Sequence, residues 1–283
     1  MMKSLLLLIS LLLCVSFFAF DPFLVQTGGN LLLATDYKSN YGNPADLFGI
    51  SNSAFGVQML EYSRAGDPAY DRKLHLALFD SSEGGIAGIL EYSMDVRSEG
   101  NLRAISYTIS APLGPLTTFG VKLGLATDDF SDPSDNTYYL LVDGGISGIA
   151  LYFLDYVVGV RNGLIWTNSD SAFYEKLDLL IGLRLVFDDF RAGFELGTRD
   201  GMDVRYGGFS SEITLWRALT LRGGVSVNLD WAWNTDFVIG CGLEYVIGNV
   251  RLGAGLGANL NNTITNHDIN IARMWGFSIQ GEW

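Results

Sequence analysis

Large apolar residues occupy every second position over long stretches of this chain. In the stretch 219–231 the apolar series is Leu219, Leu221, Val225, Val227, Leu229 and Trp231, and small or polar residues stand between them. The stretches 177–187, 236–247 and 250–258 show the same alternation. A period of two is typical of a β-strand with one apolar and one polar face. The pattern predicts an all-β protein.

Alternation of this kind divides the chain after residue 51 into fourteen predicted strands. Their ranges are 52–63, 72–80, 86–96, 102–111, 116–127, 137–152, 155–167, 173–187, 190–200, 203–215, 219–231, 236–247, 250–262 and 270–283. All six prolines fall outside them, as expected because proline cannot donate to a strand ladder. In 137–152 the glycines Gly144, Gly145 and Gly148 blur the alternation and predict a bulge.

The connections between predicted strands alternate in length. Tight links at Leu154, 188–189, 217–218 and 248–249 alternate with longer polar ones at 64–71, 128–136, 168–172 and 263–269. An even strand number, with short turns at one end and longer loops at the other, is typical of a bacterial outer-membrane barrel. We therefore predict a transmembrane antiparallel barrel of about fourteen strands over residues 51–283, as a single domain.

The composition of the polar faces supports an enclosed lumen. These faces carry Gly, Ser and Asn with sparse charges of both signs, whereas a soluble sandwich would expose faces rich in Lys and Glu. The chain is 48% hydrophobic and 17% charged, yet after the N-terminal leader it has no run of about 18 uncharged apolar residues, as a spanning helix needs. The soluble sandwich remains the alternative fold.

The first 19 residues have the features of a signal peptide. Lys3 provides the positive start, the run Leu5–Leu13 is apolar but too short to span a membrane, and Ala19 suits a cleavage site. Cys14 leaves a lipoprotein interpretation open, although Leu13 is bulkier than the residue usual before a lipidated cysteine. We expect export to the outer membrane.

Charge and reactive residues narrow the classes of function. A net charge of −13 argues against nucleic-acid binding. Cys241 is the only cysteine beyond the leader, so we expect no intrachain disulfide; with only two histidines we expect no zinc site and no cofactor. Ser210, Ser211 and Glu212 are adjacent, but no motif marks a nucleophile or an oriented base, so we predict that the protein is not an enzyme.

The last segment, 270–283, ends on an aromatic residue. Its apolar series is Ile271, Trp275, Phe277, Ile279 and Trp283. It resembles the C-terminal signal by which outer-membrane barrels are recognised, so Phe277, Ile279 and Trp283 are the candidate insertion signal. The resemblance implies the barrel assembly machinery and outer-membrane lipid as partners.

The segment 20–50 lacks regular alternation and contains a short motif. The sequence Asn43-Pro44-Ala45-Asp46-Leu47 resembles the Asn-Pro-Ala-Gly-Leu element near the N-terminus of the FadL/PorV-type outer-membrane proteins, the long-chain fatty acid transporter superfamily. Asp46 stands where glycine is usual in that family. The resemblance implies a fourteen-stranded barrel, a hatch folded into its lumen, with Asn43, Pro44, Ala45 and Leu47 as hatch residues, and uptake of a hydrophobic small molecule such as a fatty acid.

Charged residues at lumen positions are the candidate binding residues. They include Arg184, Arg191, Arg222, Arg251, Glu195 and Glu244, within a larger set that adds Lys122, Arg161, Glu91, Asp178, Glu212, Asp230 and Asp236. One interpretation is mutual pairing that satisfies buried charge and holds the hatch. The other is a lining that selects solutes. Glycines such as Gly253, Gly255 and Gly257 would leave room for the inserted segment. Interface girdles are predicted at Trp166, Trp231, Trp233, Tyr245, Trp275 and Trp283.

Three functions fit these features. The first is transport of hydrophobic small molecules such as long-chain fatty acids. The second is a structural, surface-antigen or secretion-associated barrel without transport, and the third is a nonspecific aqueous porin.

Overall fold

A computed structural model describes residues 43–49, 51–64, 70–81, 85–97, 100–130, 136–169, 177–264 and 271–283. The predicted signal peptide 1–19 and most of the predicted hatch, 20–42, lie outside these ranges. A 3-10 helix, Pro44–Gly49, precedes the strands and is called the hatch helix below. The described strands are β1 Ala54–Arg64, β2 Tyr70–Asp80, β3 Ala87–Val96, β4 Gly100–Gly114, β5 Thr117–Phe130, β6 Thr137–Leu151, β7 Leu154–Thr167, β8 Asp178–Val186, β9 Phe190–Arg199, β10 Val204–Leu215, β11 Leu219–Asp230, β12 Thr235–Ile247, β13 Val250–Asn259 and β14 Ile271–Glu282.

These strands form a closed antiparallel barrel in which each pairs with its neighbours in the chain. Closure joins β1 to β14, with Phe55 opposite Gly281 and Met59 opposite Phe277. The amide of Trp283 adds a bond of 3.0 Å to the Ser53 carbonyl. The ladder therefore has no free edge along β1 and β14, and the predicted fold class is confirmed.

Two strands depart from the simple pattern. Pro112 lies inside β4, contrary to the prediction that every proline falls outside a strand. It is tolerated there because the ladder with β5 is irregular between Pro112 and Gly114, at the end of the strand. The bulge predicted in 137–152 is confirmed, since the β6–β7 register shifts at three places. Leu154, predicted to be the link between two strands, is instead the first residue of β7. The turn between β6 and β7 is Tyr152-Phe153.

The outward face of the barrel is apolar. Leu78, Ile105, Leu125, Ile181 and Leu196 each leave 49–58% of their surface exposed on strands whose alternate residues point into the lumen. No helix within the described ranges is long and apolar enough to cross a membrane. An exposed apolar wall around a closed ladder is suited to hydrocarbon as the solvent, because closure leaves the strands without a free edge of unpaired amides.

Candidate functional site

The two ends of the barrel differ. Turns of two or three residues join β4 to β5, β6 to β7, β8 to β9, β10 to β11 and β12 to β13, and Trp283 lies at the same end, called the turn end here. The opposite end carries the two longest connections, residues 168–177 between β7 and β8 and residues 260–270 between β13 and β14, and is called the loop end. In bacterial outer-membrane barrels the short turns are periplasmic and the longer loops extracellular, so this asymmetry predicts which end of such a barrel would face each side.

The hatch helix lies inside the lumen near the turn end, held by its backbone and by Asn43. The side-chain nitrogen Nδ2 of Asn43 donates to the Ile146 carbonyl on β6 over 2.9 Å, and its Oδ1 accepts from the backbone amide of Ala45 over 3.2 Å. Ser110 on β4 donates to the Ala45 carbonyl over 2.9 Å. The Asn-Pro-Ala motif thus forms a turn whose free polar groups bond to the barrel wall.

Two glycines of the wall leave room for the hatch to approach closely. A Cβ built on Gly120 of β5 would lie 2.3 Å from the Pro44 carbonyl carbon, and one on Gly145 of β6 would lie 1.8 Å from the Asn43 Oδ1. Any side chain at these positions would displace the hatch. The described hatch residues therefore come closest to the wall at glycines of β5 and β6. From the sequence, the Gly253–Gly257 stretch of β13 was expected to leave this room.

Leu47 anchors the other side of the hatch helix. It is fully buried in an apolar cluster with Ala54 of β1, Ala77 and Phe79 of β2, and Ala87 and Ile89 of β3. The cluster is formed mainly by small inward side chains around one large hatch residue. Together with the contacts on β4, β5 and β6, it places the hatch against the first six strands.

Asp46 connects the hatch to the opposite part of the wall. Its two carboxylate oxygens accept bonds of 3.3 and 3.2 Å from the guanidinium of Arg184 on β8. Arg184 also donates to Asp155 of β7, with distances of 3.3 and 3.1 Å. Sequence reasoning noted Asp46 only as a departure from the family motif. The sequence carries one sign of this bond, namely an acidic residue at a position where the family motif has glycine.

Arg184 belongs to a row of charges around the lumen at the turn end. Each of β7–β14 contributes one member, and we call the row the charge ladder: Asp155, Arg184, Arg191, Glu212, Arg222, Glu244, Arg251 and Glu282. Arg222 is its centre, 2.8 Å from Glu212 and 3.3 Å from Glu244. Arg191 lies 3.5 Å from Glu212, and Arg251 contacts both Glu244 and Glu282.

The structure thus brings five of the six candidate lumen residues into one ladder: Arg184, Arg191, Arg222, Arg251 and Glu244. Glu195 lies elsewhere, fully buried next to Tyr206. Mutual pairing, the first of the two interpretations of these residues, describes this ladder. A role of these residues in ligand binding stays a prediction.

Cavities lie on both sides of the hatch. On the turn side a cavity of about 550 Å³ is bounded by the hatch helix and by the apolar residues Phe48, Pro112, Leu116, Ile149 and Val186, with Arg184 and Arg191 at its polar edge. Its size is that of ordinary small-molecule pockets.

On the loop side two connected cavities of about 240 and 360 Å³ share Ala104, Ala126, Leu141 and Asn162 in their walls. The first also contains Lys122, 2.8 Å from Glu91, and His75, whose Nε2 lies 3.0 Å from the same carboxylate. The hatch therefore lies between these two loop-side cavities, called the passage below, and the turn-side cavity, called the chamber. The 240 Å³ cavity is the more polar part of the passage, whereas the 360 Å³ cavity and the chamber are lined mainly by apolar atoms.

The predicted aromatic girdle faces outward. Trp166, Trp231, Trp233, Tyr245 and Trp283 are 44–74% exposed. Trp275 is less exposed because its indole nitrogen donates to Glu61 over 3.1 Å. In the C-terminal strand, Ile279 shares the outward face with Phe277, whose ladder partner Met59 is also exposed, as the alternation predicted. A role of this strand in insertion stays a prediction.

No protein-family model and no curated protein matches this sequence. Solved structures resemble the fold at low sequence identity. The CymD monoaromatic hydrocarbon channel aligns over 93% of this chain and 97% of its own, with a TM-score of 0.64 and 9% identity. The Pseudomonas putida toluene transporter TodX aligns over 92% and 96%, with a TM-score of 0.60 and 9% identity. A bacterial polysaccharide outer-membrane secretin covers 82% and 99%, with a TM-score of 0.51 and 10% identity. This chain therefore shares the barrel fold of outer-membrane channels.

Proposed function

We propose that the protein is an outer-membrane channel for hydrophobic small molecules, a divergent member of the FadL/PorV-type superfamily. The observation that carries the proposal is the hatch: Asn43–Gly49 is wedged between a loop-side passage and an apolar turn-side chamber, and Asp46 bonds to Arg184 on the far wall. A structural barrel has no need of such a divided lumen. The hydrocarbon channels that share the fold support the same class of ligand.

The ligand would enter from the loop end, cross the mixed passage and reach the apolar chamber when the hatch shifts. Each methylene buried from water contributes about 0.8 kcal/mol, so the wall formed by Phe48, Leu116 and Ile149 can retain a short apolar segment. Long-chain fatty acids and monoaromatic hydrocarbons are both candidates of this size and polarity.

The shift of the hatch requires the Asp46–Arg184 bond to break. The bond is buried, with side-chain exposures of 5% and 7%, and Asp155 remains beside Arg184 to receive its charge. An arginine with two alternative carboxylates can release one of them without becoming an isolated charge. Asp46 is therefore the position at which hatch movement can be tested without removing a wall residue.

The test is a binding titration of the refolded protein with a fluorescent long-chain fatty acid, in competition with toluene. We expect saturable binding, and Asp46→Asn should change its affinity because the hatch is held less firmly. The matched control is Asp188→Asn, an exposed carboxylate in the β8–β9 turn, which should bind like the wild type.

Absence of saturable binding by either ligand would overturn the transport proposal. In that case, conductance of small polar solutes with the hatch in place would indicate a porin, and a co-purifying protein without conductance would indicate a structural or secretion-associated barrel.

A further inference from the structure

A concave apolar surface crosses the outer wall of the barrel from β11 to β14. Its volume is about 790 Å³, and its outward-facing side chains are Leu221, Cys241, Leu243, Ala254, Leu256 and Trp275. The small residues Cys241 and Ala254 form the floor between larger neighbours, since Cys241 pairs with Leu256 and Ala254 with Leu243 across β12 and β13. We call this surface the wall groove.

Trp275 forms one side of the wall groove, and hydrogen bonds hold its side chain in place. Its indole nitrogen donates to Glu61 over 3.1 Å, and Glu61 accepts a second bond of 3.3 Å from Arg72. The three residues are direct neighbours on β14, β1 and β2. Glu61 is only 3% exposed although it lies on the outward face, so these bonds satisfy its charge and fix the indole.

Cations lie at the loop end of the wall groove. Arg273 is two residues beyond Trp275 on the same outward face and is exposed. Within the part of the chain that the structure describes, Arg273 forms no ion pair. Arg72 lies on the far side of β1. Its side chain bonds to Glu61 and is still 66% exposed.

The distribution of outward charge is asymmetric. Among strand residues with described side chains, the outward-facing basic ones are Arg72, Arg103, Arg205 and Arg273, and all lie near the loop end of their strands. Arg205 is further stacked on Trp231, 4.4 Å from the ring centroid. Such residues are positioned at the membrane interface, where they can meet anionic head groups.

We propose that the wall groove and Arg273 form a binding site for one anionic lipid of the outer leaflet. Its phosphate would bind Arg273, with Arg72 nearby, and one acyl chain would lie along Cys241 and Ala254. The occupant must combine an anionic head with a long apolar tail, because the cations lie beyond one end of an apolar depression. A second copy docked isologously would bring the same arginines together, which disfavours that occupant. The site rests on the proposed outer-membrane location and is independent of transport through the lumen.

Cys241 in the groove floor is a built-in reporter. With Cys14 replaced by serine, Cys241 is the only thiol in the chain. The labelling rate of Cys241 by a maleimide is measured in detergent with added lipid A, with added phosphatidylcholine or with inorganic phosphate. We expect lipid A to slow labelling about tenfold when present at about ten times its Kd, and the other two additions to have little effect.

Arg273→Gln should remove most of this protection, because it deletes the cation at the end of the groove and leaves the groove intact. The matched control is Arg103→Gln on β4, which removes another outward arginine at the loop end and should leave protection unchanged. Equal protection by lipid A and phosphatidylcholine, or unchanged protection in the Arg273 variant, would overturn the proposal. Protection by phosphate alone would also overturn it, because the acyl chain would then have no part.

A second measurement covers the case in which Cys241 does not react at all. Native mass spectrometry would count lipid A retained by the wild type and by Ala254→Trp, which fills the floor of the groove. Retention lost in the variant supports the site, and equal retention contradicts it. Failure of either measurement leaves the fatty acid titration unaffected, so the two proposals are tested separately.

Discussion

Single small residues decide where the hatch can touch the wall. A Cβ on Gly145 would overlap the Asn43 side chain. A Cβ on its neighbour Gly144 would meet no described residue within 4 Å, apart from the adjoining residues of its own strand. The two glycines therefore point to opposite faces of β6, with Gly145 directed into the lumen at the hatch and Gly144 directed away from it. That difference makes the two glycines a natural control for each other.

We predict that Gly145→Ala displaces the hatch. The added methyl group would overlap Asn43, an overpacking that costs about 1–3 kcal/mol and breaks the bond from Asn43 to Ile146. Planar-bilayer recordings should show a higher ionic conductance than the wild type. Gly144→Ala should conduct like the wild type, and equal conductance in all three proteins would contradict the contact.

Asp46 shows how one substitution within a motif changes its role. The asparagine, proline, alanine and leucine of the motif contact the first six strands, while Asp46 reaches β8. A glycine at this position would take the Asp46 carboxylate away from Arg184 and leave the bond between Arg184 and Asp155 in place. The departure from the family pattern thus adds a bond between the hatch and the wall.

At the scale of elements, the charge ladder spans eight consecutive strands, and a continuous series of ion pairs joins the six from β9 to β14. The ladder residues from β9 to β14 alternate in sign and pair with one another. Arg222 lies in the middle of this series, and its side chain is only 2% exposed. A buried charge is tolerated only while its partners remain. The ladder therefore couples the stability of these strands.

Arg222→Met should destabilise the barrel by about 3–5 kcal/mol, because it leaves the Glu212 and Glu244 carboxylates without their central cation. Arg191→Met, at a ladder position that is 35% exposed, should cost about 1 kcal/mol or less. The free energy of unfolding is measured by urea titration of the protein folded into phospholipid vesicles. Similar losses for both variants would show that Arg222 has no central role.

For the whole molecule, the apolar outward face predicts how the barrel lies in the proposed membrane. Ile181 lies near the middle of β8 and is 57% exposed, and Phe187 follows the same strand at the turn end with 49% exposure. The two side chains differ mainly in depth along the barrel axis. A charge placed at each position reports that depth.

We expect Ile181→Arg to reduce the free energy of unfolding in vesicles by about 2–4 kcal/mol and Phe187→Arg by about 0–1 kcal/mol, because the cost of a cation falls from the bilayer midplane to the interface. The same urea titration measures both. A larger loss at Phe187 than at Ile181 would contradict the proposed membrane position.

The sequence alone determined that the chain forms fourteen strands and, away from the register shifts of β4, β6 and β7, the face on which the strand side chains lie. Side chains in a strand alternate with a period of two, so the parity of Leu219, Arg222 or Glu244 follows from local order and needs no knowledge of the fold. The inward position of the ladder residues and the outward position of the aromatic girdle were predictable for this reason.

Only the tertiary structure decided which inward and outward residues meet. Asp46 and Arg184 are 138 positions apart, and Gly145 and Asn43 are separated by most of six strands. Trp275 and Glu61 become neighbours only when β14 closes on β1. Alternation assigns a residue to a face, but closure and curvature of the barrel determine its distance from a residue on another strand, and the hatch contacts, the charge ladder and the wall groove all depend on that distance.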